Sequence, residues 1–218
     1  MEEKDIQNEL ASIRSIMERS SKFISLSGLS GILAGIYALI GASVAYYILY
    51  INPPSSLSGT TRRYFSIERE AYLSLQRSDL VFLLLSIAII VLLASLITGF
   101  ILSRRQAKRK GQAIWGKVSQ ALFFHMATPL ITGGLLILIL LIRGHYGIVT
   151  PATLIFYGLS LISASNFTFS DVKYLGILEI ILGLIAACLP GYGLLFWAIG
   201  FGVLHIIYGG MMYLKYDK

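Results

Sequence analysis

The chain has 218 residues, of which 56% are hydrophobic and only 13% charged, with 21 glycines and a formal net charge of +7. A soluble domain carries about 25% charged residues; here the apolar residues gather in runs near the ~20 that cross hydrocarbon as a helix, which excludes a dispersed water-soluble core. The basic residues lie beside those runs, where the positive-inside effect places them, so no nucleic-acid partner is expected.

Residues 1–22 are polar and helix-like, with no short apolar core after a basic start, so no cleavable signal is expected. Ile6, Leu10, Ile13 and Met17 form one apolar stripe at spacings of four, three and four. The stripe predicts an amphipathic helix outside the membrane, able to lie on the bilayer, pack on the bundle or pair with a second copy. The first span covers about 23–50. Its Ser27, Gly31 and Gly35 repeat at spacing four, a small-residue run that permits close approach of helix backbones within the monomer or across a dimer.

Residues 51–79 form the longest connection. It opens on the turn sequence Asn52-Pro53-Pro54 and continues into a short outer-surface helix over 65–77. The second span covers 80–102. The basic run from Arg104 to Lys110 reads as the next connection, touching anionic lipid headgroups at the inner face or docking a cytosolic protein. The third span, 118–142, contains His125 and Pro129. Spans at 148–163, 174–189 and 192–214 complete six, the fourth and fifth being short. Runs without alternation exclude barrel strands, so the fold class is all-α: a polytopic six-helix bundle with a cytoplasmic N-terminal helix.

Orientation follows from Lys and Arg. Thirteen fall in the segments that are inner if the N-terminus is inside; the outer segments hold Arg62, Arg63, Arg69, Arg77 and Arg143. Both termini are therefore expected in the cytoplasm. A weak internal echo relates residues 31–42 to 176–187, in the manner of a parallel repeat. The single cysteine, Cys188, reads as a small apolar helix residue.

Glu179 is the strongest chemical signal. It is an acid inside a long apolar run, where an ionised carboxylate costs at least a few kcal/mol and must find a partner, a cavity or a pore. Gly176, Glu179, Gly183 and Ala186 share one helix face. So do Ala198, Gly202, His205, Gly209 and Met212, and likewise Ala121, His125, Thr128 and Thr132. These stripes are expected to face the bundle interior. By helical rise, Glu179, His125 and His205 lie about 8, 10 and 14 Å from the inner ends of their spans. They are expected to share one layer, where carboxylate and imidazole can pair, relay a proton or ligate a metal. Each also has a plainer role: Glu179 as a protonated packing residue, His205 as a tether, and His125 as a donor for a carbonyl freed by Pro129. Without HExxH, CxxC or CxxCH no cofactor is predicted, although two intramembrane histidines leave haem or a metal open.

Residues 17–31 (MERSSKFISLSGLSG), 151–158 (PATLIFYG) and 190–209 (PGYGLLFWAIGFGVLHIIYG) resemble an uncharacterised family of bacterial multi-pass inner-membrane proteins. The resemblance covers most of the chain and implies a bacterial, polytopic protein. It carries over no activity and no site residue. The leading expectation is a non-enzymatic regulatory, scaffolding or sensory membrane protein whose partners are a second copy or a cytosolic protein. The alternatives are a small proton-coupled transporter or channel using the Glu/His site, and a membrane-embedded haem or metal protein.

Overall fold

In hydrocarbon every backbone N–H and C=O needs a partner within the protein, and a helix supplies it segment by segment. The computed structural model describes residues 27–51, 76–109, 111 and 115–217, and among these all regular elements are helical. Helix α1 is Gly28–Ile51, α2 is Gln76–Arg109, α3 is Lys117–Ile142, α4 is Tyr146–Ser165, α5 is Val172–Cys188 and α6 is Gly193–Asp217. Five of them are long and apolar enough to cross a membrane. Helix α5, with 17 residues, is shorter. The expected N-terminal helix over 1–22 and the connection over 52–75 lie outside the described residues.

One boundary differs from expectation. Helix α2 does not stop at 102 but runs on to Arg109, so Arg104, Arg105, Lys108 and Arg109 stand on its final turns rather than in a loop. Positive charge at a helix C-terminus is favoured by the macrodipole, and nothing apolar is needed once the helix leaves the membrane. The turn from α5 to α6 uses Pro190 and Gly191. Gly191 has φ +91°, a conformation that favours glycine.

Glycine decides which helices touch. A Cβ on Gly158 would lie 2.5 Å from the carbonyl oxygen of Gly176, and one on Gly176 would lie 2.7 Å from that of Gly158. Helices α4 and α5 therefore meet backbone to backbone. Helix α1 meets α6 in the same way: a Cβ on Gly35 would be 2.6 Å from the Gly202 carbonyl, and one on Gly209 would be 2.5 Å from the Ile32 nitrogen. Within the chain, Gly31 and Gly35 of the small-residue run thus lie against Gly209 and Gly202. Such approach maximises dispersion contacts, the main driving force between helices in lipid.

The end of the bundle where α1 begins is fastened by the last residues of α6. Asp217 accepts hydrogen bonds from Ser27 Oγ (2.9 Å), the Gly28 backbone N–H (2.8 Å) and Gln106 Nε2 (2.9 Å). A carboxylate from the chain's other end thereby caps the start of α1, where free N–H groups and the macrodipole favour an anion. Asp171, just before α5, accepts from Lys215 Nζ (2.7 Å) and Tyr216 Oη (2.9 Å). The ring of Tyr216 stacks on Phe169.

Candidate functional site

Helix α5 presents Gly176, Glu179, Gly183 and Ala186 along one buried face. Glu179 has no solvent exposure, and neither carboxyl oxygen has a hydrogen-bond partner among the described residues. The apolar side chains of Leu154 and Leu182 lie beside its carboxyl group, around Gly200. On α6 four residues of the expected stripe, Gly202, His205, Gly209 and Met212, are buried, and Ala198 is half-buried. The two faces bring His205 Nδ1 to 3.5 Å from Glu179 Oε1.

His205 is hydrogen-bonded at both ring nitrogens. Nδ1 lies 2.9 Å from the carbonyl oxygen of Gly200, and Nε2 lies 2.7 Å from the hydroxyl of Tyr157 on α4. A carbonyl can only accept, so Nδ1 carries a proton and donates to Gly200. In the neutral ring Nε2 is then the acceptor, and Tyr157 donates to it. The single Nδ1–H points at Gly200, which is why the carboxyl at 3.5 Å stays unbonded. Tyr157 and Phe201 pack their rings against the imidazole, and Trp197 packs behind Phe201. Residues Ala198–Leu204, immediately before His205, are wound as a π-helix, a distortion frequent at functional sites.

His125 is not part of this group. It is exposed on α3 and stacks on Phe167, with ring centroids 4.7 Å apart. The expectation that its stripe faces the interior is corrected: His125, Thr128 and Thr132 all point outward. The physical reason is local. Thr128 donates to the Phe124 carbonyl and Thr132 to that of Thr128, so their hydroxyls need no interior partner. Helix α3 instead meets α4 through Gly133 against Phe156 and through Ser160, whose hydroxyl donates to the Met126 carbonyl at 2.9 Å. The carbonyl that Pro129 leaves without an N–H donor is that of His125, four residues back. With His125 elsewhere, no three His, Cys, Asp or Glu side chains converge among the described residues. Of the three residues expected to share a layer, only Glu179 and His205 come together. A bis-histidine haem would need His125 and His205 to face one another, and both nitrogens of His205 are already engaged.

Two members of the group escaped the sequence reading. Tyr157 sits in the middle of a span, away from the interfacial belt where tyrosines gather, and that position was the available signal. Gly200 has none beyond its spacing of five from His205.

The chemistry open to the group is proton transfer. A proton delivered to Nε2 through the Tyr157 hydroxyl makes an imidazolium, and Nδ1 can then pass its own proton to the Glu179 carboxylate. The products are a carboxylic acid and a neutral imidazole protonated at Nε2, for the net uptake of one proton. Comparison of the chain with models of protein families, with curated proteins and with solved structures gives no match.

Proposed function

We propose that the protein is a non-enzymatic, sensory or regulatory component of a bacterial inner membrane, with six spans and both termini in the cytoplasm, and that Glu179, His205 and Tyr157 form its proton-responsive site. One observation carries the reading: a fully buried carboxyl group without a hydrogen bond stands 3.5 Å from an imidazole held at both nitrogens. A buried polar group left unbonded destabilises a fold by a few kcal/mol, and apolar residues would fill the same place without that cost. A proton gained and lost by the carboxyl gives Glu179 a role that an apolar side chain could not fill. The output lies at the inner face, where the amphipathic N-terminal segment and the basic turns of α2 are suited to anionic lipid, a second copy or a cytosolic protein.

The test is vibrational. Protein in lipid vesicles is titrated from about pH 5 to 9, the range in which imidazole and buried carboxyl groups change charge, while the carboxylic C=O stretch is followed. A band that appears and disappears with pH and is missing in Glu179→Gln supports the proposal. No pH-dependent band, or one unchanged in the variant, refutes it. A second reading, a proton-coupled transporter, is favoured by the π-wound stretch beside the site, since transporters place irregular helix at their ion sites. It predicts proton flux into sealed vesicles that Glu179→Gln abolishes.

A further inference from the structure

Gly200 carries no functional group, yet it touches both partners of the proton site. Gly200 lies in the π-wound stretch five residues before His205. The His205 backbone N–H goes to the Gly202 carbonyl, and the Gly200 carbonyl takes the side chain instead, 2.9 Å from Nδ1. On its other side, a Cβ would stand 2.6 Å from Glu179 Oε2, 2.6 Å from Leu154 Cδ2 and 3.2 Å from Leu182 Cδ2. The carboxyl group occupies space that any other residue at 200 would fill.

We propose that Gly200 is the positioning residue of the site: its carbonyl holds the Nδ1–H of His205 away from Glu179, and its missing side chain leaves the carboxyl room to move in and take that hydrogen bond over. The proposal rests on the reading of Glu179 and His205 as a proton site. In the state described, Nδ1–H belongs to Gly200 and the carboxyl waits at 3.5 Å. A charge-assisted N–H···O bond is about 2.7–2.9 Å long, so a shift of roughly 0.6–0.8 Å completes the exchange. Proton arrival at Nε2 drives it, because the imidazolium attracts the carboxylate more strongly than a neutral carbonyl. The titratable groups facing His205 are Glu179 from α5 and Tyr157 from α4. Helix α1 approaches it with glycine: a Cβ on Gly31 would lie 3.5 Å from the His205 carbonyl.

The experiment follows the ring nitrogens of His205 by nitrogen NMR in the full-length protein in bilayers, across pH. In Gly200→Ala the two closest atoms are tips of flexible side chains, so the fold is retained and the carboxyl is displaced. The expected result is a His205 midpoint moved by about one pH unit or more, the size of an ordinary charge-partner effect. The same movement is expected with Leu154→Val added, which relieves the Leu154 contact but not the Glu179 contact. That double variant also reads the effect if the single one fails to fold. In a Glu179→Gln background the alanine leaves His205 unmoved. A wild-type midpoint in Gly200→Ala, a shift reversed by Leu154→Val, or a shift that persists with Glu179→Gln overturns the role of Gly200. Identical His205 midpoints in wild type and Glu179→Gln sink the proton site itself, and the role with it.

Discussion

Two histidines, each on a long apolar helix among small and hydroxylated residues, end in opposite places. His205 is 8% exposed and bonded to two other groups; His125 faces outward against Phe167. The helices around them differ in the same way. About a third of the α4 window is buried, against 6% of the α2 and α3 windows. The difference lies in glycine. Helices α1, α4, α5 and α6 each carry glycines at which a Cβ would strike a facing helix's backbone, whereas Gly99 on α2 and Gly134 on α3 face open space and Gly133 on α3 meets only the side chain of Phe156. A polar residue is drawn inside only where its helix has glycines that let a neighbour close over it.

The largest effect that could break this comparison is steric. Gly158→Leu must push α4 from α5, because the obstacle is the Gly176 backbone. It is expected to exceed the ~1–3 kcal/mol typical of overpacked cores. Gly134→Leu, with nothing within 4 Å of its Cβ, should stay within about 0.5 kcal/mol of wild type. Unfolding in mixed micelles compares the two, and equal losses would refute the division into close-packed and peripheral helices.

Next comes Glu179→Met. Replacing an unbonded buried carboxyl by an apolar side chain of similar size should stabilise the protein by on the order of 1 kcal/mol, while the pH-dependent carboxyl band disappears. His125→Met should change neither property. A destabilised Glu179→Met would show that the carboxyl serves the fold.

Tyr157→Phe removes one hydrogen bond to His205, worth about 1 kcal/mol, and leaves Nε2 without its donor. Its nitrogen resonance should shift while those of His125 stay put. A thermal unfolding curve shows the stability loss independently.

The smallest effect concerns the end of the bundle where Asp171 lies. The hydrogen bond from Lys215, helped by that from Tyr216, holds the Asp171 carboxyl below its ordinary value, against a smaller opposing push from burial. A carboxyl depressed in the folded state adds stability that is complete above its unfolded value, near 3.9, and is lost as pH falls through the folded one. Asp171→Asn should therefore flatten the stability profile only in the strongly acidic range. A difference that first appears between neutral and alkaline pH would contradict the assignment.

The stripes of α5 and α6 were legible because glycine spacing and a lone acid coincide on one face. The outward turn of His125 was hidden, although Thr128 and Thr132 each had a carbonyl four residues back to bond. Sequence periodicity identifies a face but not which way it points, and a threonine that bonds its own helix gives no inward pull. Depth along the helix was a poor guide for the same reason, since three residues at one level need not share one side. Tyr157 and Gly200 depend on two helices meeting at a particular rotation and on a π turn, and neither leaves a periodic trace. The end of α2 was misplaced because the apolar run marks the membrane and not the helix.

The central claim is that Glu179 and His205 share a proton and that His125 is outside the pair. Nitrogen NMR of histidine-labelled protein in bilayers, in wild type and Glu179→Gln across pH, tests it most directly. The account predicts a His205 midpoint that differs between the two proteins by about one pH unit or more, with His125 titrating identically in both. Superimposable His205 curves, or a His125 curve that moves with Glu179, would contradict it.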